Sequence, residues 1–314
     1  MKATNDMPPL SVFVPATTAN LGPGFDCLGL ALDLWNRVTI FEEGEGLHVK
    51  IRGEGAGLLP ADDHNMVVRA MMRFYQAQRV PFPANLSIQC DNRIPVSSGM
   101  GSSAAAIVSG LLAANALLGS PASQEEILRL AVAIDGHPDN VASALSGGLT
   151  MVTTVGEGLL VNQLPVPPLV VALAVPAIHL PTQVARAALP REVPLSDAVF
   201  NIGRTAFVIE ALRSGNLAQL GKVMEDRLHQ PYRLSLIPGG EEVFNVARQA
   251  GAMAVALSGA GPSIIAFAPI EEAVSQAQKI ADAMVAAFSQ AAIQARGFVL
   301  NLSEKGGCVT SRVD

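Results

Sequence analysis

A glycine- and serine-rich segment is the part of this sequence best suited to chemistry. Residues 95–106 read P-V-S-S-G-M-G-S-S-A-A-A, and they connect a strand-like segment, residues 85–90, to an alanine-rich helix. A strand, a glycine loop and a helix start bring backbone N–H groups and the positive end of a helix dipole to one point, which suits a phosphate group. The segment therefore predicts a phosphorylated ligand. The structural alternative is an ordinary turn, with Ser102 or Ser103 capping the helix that follows.

The loop lacks the residues of two well-known phosphate-binding motifs. A Walker loop ends in Gly-Lys followed by Ser or Thr, whereas Gly101 is followed by Ser102 and no lysine occurs between Lys50 and Lys222. A dinucleotide fingerprint needs a βαβ unit with a ribose-binding acid, and no such unit is evident at the expected distance. Backbone N–H donors, the helix N-terminus and a metal ion would therefore have to neutralise the charge of the phosphate.

The composition argues against several functional classes. A chain of 314 residues that is half apolar is long enough for a large core and predicts two domains. The net charge of −6 and the sparse lysines argue against a nucleic-acid-binding surface. Cys27, Cys90 and Cys308 are far apart and odd in number, so they predict neither a disulfide framework nor a metal cluster. This cysteine usage is typical of a reducing, cytoplasmic setting.

The alternation of strand-like and helix-like segments predicts an α+β sandwich. Residues 38–41 and 47–51 have the character of strands and are separated by Glu and Gly turn residues, which predicts a β-hairpin or meander. A cluster of prolines at residues 164–168 predicts the connection between two domains, 1–164 and 165–314.

One long uncharged stretch raises the question of a membrane segment. Residues 94–124 carry no charged side chain. The first part of this stretch is rich in Ser and Gly, however, and Asn115 interrupts the remainder, so the sequence favours a buried helix over a membrane span.

Three separated segments resemble the motifs of one enzyme family. Residues 15–26 read P-A-T-T-A-N-L-G-P-G-F-D and residues 257–265 read L-S-G-A-G-P-S-I-I, on either side of the glycine and serine loop. In this order the three segments resemble the motifs of the GHMP kinases. The first resembles the homoserine-kinase branch of that family, as do residues 136–140 (G-H-P-D-N), 182–186 (T-Q-V-A-R) and 230–233 (Q-P-Y-R).

The resemblance spans nearly the whole chain and implies a fold and an activity. The implied fold is the α+β GHMP kinase fold, with an N-terminal domain like domain 2 of ribosomal protein S5 and a ferredoxin-like C-terminal domain. The implied activity is the ATP- and Mg²⁺-dependent phosphorylation of the side-chain hydroxyl of L-homoserine, a step toward threonine. No nucleic acid or membrane partner is implied. Members of the family often form homodimers, so a homodimer is a further expectation.

The resemblance assigns one set of residues to the nucleotide and its metal ion. The ATP-binding residues are Asn65, Pro95, Val96, Ser97, Ser98, Gly99, Met100, Gly101, Ser102, Ser103 and Ala104. The hydroxyl of Ser103 is the implied Mg²⁺ ligand. Family members usually add a glutamate from the next helix, but residues 128–135 read L-R-L-A-V-A-I-D. Either Asp135 takes that role, or serine, phosphates and water hold the ion.

A second set of residues is assigned to the amino-acid substrate. These residues are Asn20, Asp26, His137, Asp139, Thr182, Arg186, Arg233 and Gly259. Arg186 and Arg233 would hold the carboxylate, because a guanidinium fork donates two parallel hydrogen bonds. Asp26 and Asp139 would offset the ammonium group, and Asn20 and His137 would supply neutral hydrogen bonds.

The catalytic set implied by the resemblance is Asp139, Asn140 and Arg186. Asp139 occupies the position of the catalytic aspartate of mevalonate kinases, yet in homoserine kinases this residue is thought to hold the amino group. Since phosphoryl transfer mainly needs positioning and charge neutralisation, our hypothesis is that Asn140 orients the attacking hydroxyl and no dedicated base is used. Two other functions stay open: a GHMP kinase for another hydroxyl metabolite, and a non-catalytic ligand sensor with this fold.

Overall fold

The computed structural model describes residues 9–42, 45–156 and 158–311. Within them the chain forms two β-sheets with helices packed against them. The strands are β1 (Leu10–Ala19), β2 (Leu28–Phe41), β3 (Leu47–Gly53), β4 (Leu86–Asn92), β5 (Leu149–Val155), β6 (Gly158–Leu164), β7 (Val170–Pro176), β8 (Ala254–Leu257), β9 (Ile264–Phe267), β10 (Ala295–Asn301) and β11 (Cys308–Ser311). The helices are α1 (Met66–Gln78), α2 (Ser102–Leu117), α3 (Gln124–Asp135), α4 (Pro138–Ser146), α5 (Thr182–Ala187), α6 (Leu195–Ser214), α7 (Leu217–Val223), α8 (Gln230–Leu234), α9 (Gly240–Gln249) and α10 (Ala273–Gln290).

The first sheet has the order β11-β1-β2-β4-β3, with β5 paired to β2 and β6 paired to β5. The β-hairpin or meander predicted from residues 38–41 and 47–51 is therefore wrong, because β4 lies between β2 and β3. Strand β3 pairs in parallel with β4, whereas β2 pairs antiparallel with it. The burial of the strands explains this order. Alternate residues Leu86, Ile88 and Cys90 of β4 are buried, while β3 is largely exposed and suits an edge position.

The second sheet has the order β10-β7-β9-β8. Strand β7 is buried along almost its whole length and pairs on both sides, as its run of apolar residues requires. Strands β8 and β9 pair antiparallel, and the turn between them, residues 258–263, faces the glycine loop. Helix α10 contributes Ile280, Met284 and Phe288 to the core beneath this sheet.

Helix α2 is buried because it packs against the first sheet, α1 and α3. Its apolar character thus belongs to the core, as the sequence predicted for residues 94–124. In the part of the chain that the structure describes, no helix is long and apolar enough to cross a membrane. Close packing requires Gly110, since a Cβ there would overlap the carbonyl oxygen of Val67 in α1.

The α+β class predicted from the sequence is confirmed by the two sheets and their helices. The domain boundary after residue 164 stays a prediction. Strand β6 ends at Leu164 and β7 begins at Val170 in the other sheet. The chain later returns to the first sheet, where β11 pairs antiparallel with β1.

Candidate active site

A cavity of about 430 Å³ lies between the glycine loop, the start of α4 and the β8–β9 turn. It gathers predicted site residues from positions as distant as Asn20 and Gly259. The predicted residues that line it are Asn20, Asp26, Asn65, Val96, Ser97, Ser98, Gly99, Gly101, Ser102, Ser103, Ala104, Asp135, His137, Asp139, Asn140, Thr182, Arg186, Arg233 and Gly259. Pro95 and Met100 do not line it. Their carbonyl oxygens instead accept hydrogen bonds from the Ser98 hydroxyl and the Thr17 N–H.

Helix α2 points an uncapped N-terminus into this cavity. Its N-cap is Gly101, in the left-handed conformation with φ 71°, and no side chain caps the helix. Ser102 and Ser103 are the first residues of the helix, so the alternative of a serine-capped turn does not describe this loop. The N–H groups of the first turn therefore have no side-chain acceptor at the cap and can bind an anion.

The β8–β9 turn makes hydrogen bonds to the backbone of the glycine loop. The Ser258 hydroxyl donates to the Gly99 carbonyl over 2.8 Å, and the Ser263 N–H donates to the Ser98 carbonyl over 3.1 Å. Gly99 has φ 82°, and a Cβ there would overlap the Ser258 carbonyl oxygen. The loop therefore needs glycine for its conformation and for this close approach.

Asn65 lines the cavity, but its side chain is engaged in the fold. Its Oδ1 accepts the N–H of Val67 over 3.0 Å, which caps α1, and its Nδ2 donates to the Pro60 carbonyl over 2.8 Å. The first of these bonds makes Asn65 the N-cap residue of α1. Several other residues that line the cavity, both apolar and polar, were not predicted from the sequence: Asn36, Val38, Val67, Cys90, Asn92, Ala106 and Ser109.

Asp135 and Ser103 place two oxygen groups near the start of α2. Burial raises the pKa of Asp135 to about 6, against opposing effects of the Ser103 side chain and the Arg186 charge. The Nδ1 atom of His137 is 3.9 Å from the Asp135 carboxylate. A carboxylate and a hydroxyl are oxygen ligands of the kind that Mg²⁺ prefers, so this pair fits the metal.

Asp139 is a buried acid with few compensating contacts. Its exposure is 2%, and one carboxylate oxygen accepts the N–H of Asn140 over 2.7 Å. Burial raises its pKa from 3.8 to about 7, and the negative charge of Asp26 adds to the shift. A nearby cation would lower this pKa again, so the site favours an ammonium group.

Arg186 and Asp26 form an ion pair that lines the same cavity. Two guanidinium nitrogens of Arg186 bind the two carboxylate oxygens of Asp26, and the Nη1–Oδ2 distance is 3.0 Å. The guanidinium also lies over the ring of Phe25, 5.5 Å from its centroid. About a third of each charged side chain is exposed, so both remain accessible to a ligand.

Arg233 is buried with an exposure of 1%, and among the described residues it has no carboxylate partner within ion-pair distance. Its nitrogens contact the Ala185 carbonyl at 3.4 Å, the Gly259 carbonyl at 3.5 Å and Nδ1 of His229 at 3.3 Å. Burial and the positive charge of Arg186 lower its pKa to about 10. A buried guanidinium with only long neutral contacts favours an anionic ligand beside it.

His229 contacts the buried guanidinium of Arg233, and this residue was not predicted from the sequence. Its Nε2 lies 2.7 Å from the Gly22 carbonyl, and its ring stacks on Phe25 with centroids 5.0 Å apart. Burial lowers the pKa of His229 to about 4, so the ring is neutral. The Nε2–H therefore donates to Gly22, which leaves the Nδ1 lone pair for a guanidinium N–H of Arg233. Its position next to Gln230-Pro-Tyr-Arg233 is the signal that sequence analysis could have used.

Asn20 joins the first motif to the β8–β9 turn. Its Nδ2 donates to the Gly259 carbonyl over 2.8 Å, and its Oδ1 accepts the N–H of Asp26 over 2.9 Å. Thr182 is the first residue of α5, and His137 is the N-cap residue of α4 without a capping hydrogen bond of its side chain. The three side chains all border the cavity.

Comparisons with known proteins identify the family. The model of the GHMP kinase N-terminal domain matches residues 65–148, and that of the GHMP kinase C-terminal domain matches residues 208–290. The chain belongs to the GHMP kinase family. This confirms the predicted GHMP kinase fold, and the homoserine-kinase branch is supported by the relatives described next.

Several similar proteins bear the name homoserine kinase. The homoserine kinase of Moorella thermoacetica is 46% identical over 90% of this chain and 94% of its own length. That of Desulfitobacterium hafniense is 41% identical over 95% of this chain and 99% of its own length. The crystal structure of homoserine kinase from Cytophaga hutchinsonii has 32% identity and a TM-score of 0.86, covering 99% of this chain and 100% of that one.

Proposed function

We propose that this protein transfers the γ-phosphoryl group of ATP to the side-chain hydroxyl of L-homoserine, giving O-phospho-L-homoserine for threonine synthesis. The observation that carries the proposal is the composition of one cavity. An uncapped helix N-terminus with a glycine loop lies in the same cavity as Asp26, Asp139, Arg186 and Arg233. The first feature fits phosphates, and the second fits the zwitterion of an amino acid. The similarity to proteins named homoserine kinase supports the same function.

The amino-acid substrate binds at the charged end of the cavity. Arg233 and Arg186 hold its carboxylate, because a buried guanidinium without a carboxylate partner gains most from an anion. Asp139 and Asp26 hold its ammonium group, which would reverse the burial effect on the pKa of Asp139. Asn20, His137, Thr182 and Gly259 complete the walls around the substrate.

The nucleotide binds along the loop and the first turn of α2. Its phosphates contact the N–H groups and hydroxyls of residues 96–99 and 101–104, with Ser102 and Ser103 nearest the helix start. The base enters the mixed apolar wall near Asn65, Val38 and Cys90. Asn65 borders the base but shapes the pocket mainly through its cap, because both ends of its amide are already bonded.

Ser103 and Asp135 would hold Mg²⁺ together with phosphate oxygens and water. When bound, the ion neutralises charge on the phosphates. Burial favours the neutral form of Asp135, so a metal ion near its carboxylate would lower the pKa and favour the charged form. Asp135 is therefore the acid available where the family usually has a glutamate.

Phosphoryl transfer needs the substrate hydroxyl in line with the γ-phosphate and needs donors for the developing charge. The amide of Asn140 and the guanidinium of Arg186 border the same cavity and supply such donors. Asp139 serves as partner of the ammonium group, so the hydroxyl attacks without a dedicated base. Its proton leaves to the phosphate or to water as the transition state passes.

Turnover of ATP by the purified protein tests this proposal. L-Homoserine, mevalonate and galactose are offered separately with Mg²⁺, and phosphorylated product is measured. We expect turnover with homoserine alone. Saturable binding of homoserine without turnover would instead identify a ligand sensor, and turnover with mevalonate or galactose would identify another kinase of the family. In a parallel Mg²⁺ titration, Asp135→Asn should need more Mg²⁺ for half-maximal rate, and an unaltered titration would remove Asp135 from the metal site.

Two further features belong to this proposal. Cys27, Cys90 and Cys308 are free thiols in the structure, which supports a reducing, cytoplasmic location. Formation of a homodimer stays a prediction from the family.

A further inference from the structure

Thr17 makes an unusual connection inside the first motif. It lies in β1 with no exposed surface, and its hydroxyl donates to Oδ1 of Asn140 over 2.7 Å. Its backbone N–H donates to the Met100 carbonyl over 3.1 Å. Residues from three elements, β1, the glycine loop and α4, therefore meet at one threonine. Nothing in the proposed transfer reaction so far uses this hydroxyl.

The hydrogen bond fixes which end of the Asn140 amide faces the cavity. Nδ2 of Asn140 is 3.4 Å from an Asp139 carboxylate oxygen that also accepts the Asn140 N–H over 2.7 Å. If the amide were turned over, Oδ1 would face that carboxylate oxygen, and two acceptors would meet. Oδ1 therefore faces Thr17, and the NH₂ group is directed to the carboxylate and the cavity that Asn140 lines.

Thr17 also packs against the end of the glycine loop. A Cβ on Gly101 would overlap the Thr17 hydroxyl oxygen, so the two residues are in direct contact. Gly101 is the N-cap residue of α2, beside the N–H groups proposed to bind phosphate. Thr17 therefore contacts both Asn140 and the residue at which the phosphate-binding turn begins.

We infer that Thr17 is a positioning residue for phosphoryl transfer, and this inference rests on the proposed function. Its hydroxyl holds the Asn140 amide so that an N–H donor points to the attacking hydroxyl and the transferred phosphoryl group. The contact between Thr17 and Gly101 fixes the position of that donor relative to the phosphates. An amide fixed in this way donates to developing negative charge and cannot serve as an acceptor of the proton.

Paired substitutions of Thr17 test the role of its hydroxyl. Thr17→Val keeps the shape and removes the donor, so kcat should fall about 10- to 100-fold, the scale of a misplaced catalytic group. The KM values for homoserine and ATP should change far less. Thr17→Ser keeps a hydroxyl and should restore most of kcat. Thr39→Val is a matched control, because Thr39 is also a buried sheet threonine whose hydroxyl bonds to a side chain, Ser11; it should leave kcat unchanged.

The Asn140→Ala background separates positioning from general loss of packing. If Thr17 acts through Asn140, Thr17→Val should lower kcat in the native background and have little further effect beside Asn140→Ala. Equal losses in both backgrounds, or loss of kcat in Thr17→Ser as large as in Thr17→Val, would overturn the inference.

A spectroscopic readout keeps this inference separate from the proposed function. The side-chain NH₂ signals of Asn140 in a ¹⁵N-correlated NMR spectrum should move in Thr17→Val and stay near their native positions in Thr17→Ser and Thr39→Val. Unmoved signals in Thr17→Val would overturn the positioning role even where kcat falls. If the native protein does not phosphorylate homoserine, the proposed function fails, whereas these signals still report whether Thr17 holds the amide.

Discussion

The two ends of the cavity solve the problem of binding a charged ligand in opposite ways. The phosphate end presents N–H groups of the α2 N-terminus and lacks lysine and arginine between residues 95 and 104. The amino-acid end presents two arginines and two aspartates, some of them almost completely buried. A backbone N–H donor carries no full charge, so burying it costs little desolvation free energy. Burying an ionised side chain costs a large desolvation free energy unless a partner of opposite charge offsets it.

This difference predicts which substitutions each end tolerates. The phosphate end depends on chain conformation, so it should be sensitive to an added Cβ and less sensitive to side-chain chemistry. The amino-acid end depends on charge, so loss of one ion should leave another charge uncompensated.

Loss of Arg233 should produce the largest effect. Arg233→Leu removes the buried guanidinium and leaves the substrate carboxylate without its partner. The binding free energy of homoserine should weaken by about 2–5 kcal/mol, so its KM should rise roughly 30- to several-thousand-fold. Arg233→Lys should recover only part of this, since an ammonium cannot donate the same fork. Initial-rate kinetics with homoserine varied at saturating ATP measure the effect.

Arg213→Leu is the control for this prediction. Arg213 is half exposed and pairs with Glu210 on the surface of α6, so its loss should leave both KM values unchanged. A thermal unfolding scan shows whether Arg233→Leu remains folded. An unchanged KM for homoserine in a folded Arg233 variant would show that the buried guanidinium does not hold the substrate.

An added methyl group at the phosphate end should produce the next largest effect. Gly101→Ala forces a positive φ on alanine and an overlap with the Thr17 hydroxyl, so the α2 N-terminus must shift. We expect kcat/KM for ATP to fall about 100-fold, as for a misplacement of about 1 Å. Binding of a fluorescent ATP analogue and steady-state kinetics measure the loss.

Gly119→Ala separates strain from overlap. Gly119 has φ 79°, but a Cβ there meets no atom within 4 Å. This variant should lose about 1–2 kcal/mol of stability from the backbone conformation alone and keep its ATP affinity. If both variants lost ATP affinity equally, the close fit around Gly101 would have no special role.

The same contrast explains how much of the site the sequence could reveal. The phosphate end is formed by residues that are adjacent in sequence. Ser102 and Ser103 follow the glycines directly, so a continuous motif predicted the loop and its helix. The charged end was predicted from the family resemblance, and the structure brings Asp26 to Arg186 across 160 positions. The roles of these residues stay predictions, but their presence in one cavity agrees with them.

Several contacts in the structure could not be predicted from the sequence. Thr17 and Asn140 are 123 positions apart, and a threonine within a strand gives no sign of such a partner. His229 was missed because a buried neutral histidine looks like any other until its Nδ1 is seen facing Arg233. The order of β3 and β4 was also missed, since neighbouring strands in sequence usually pair and a parallel insertion leaves no local pattern.

A change of pH at the charged end should produce the smallest effect. Asp139 titrates, whereas the backbone donors at the phosphate end do not. Its pKa is raised from 3.8 to about 7 by burial and by Asp26. A raised pKa means that the folded protein binds this proton more tightly than the unfolded chain does. Asp139 therefore lowers the free energy of unfolding progressively as pH rises from about 4 to about 7, and the whole destabilisation is present above that range.

Asp139→Asn should therefore raise the melting temperature at about pH 8 and change it little at about pH 4. Homoserine should bind native protein about tenfold more weakly at about pH 6 than at about pH 8, because the ammonium group favours the charged carboxylate. Asp139→Asn should bind weakly at every pH, and Asp282→Asn, on the exposed face of α10, should match the native profile. Calorimetric titration with homoserine across this range measures both. A flat profile in the native protein would mean that Asp139 is already charged, and its partner would then have to be sought among the arginines rather than in the substrate.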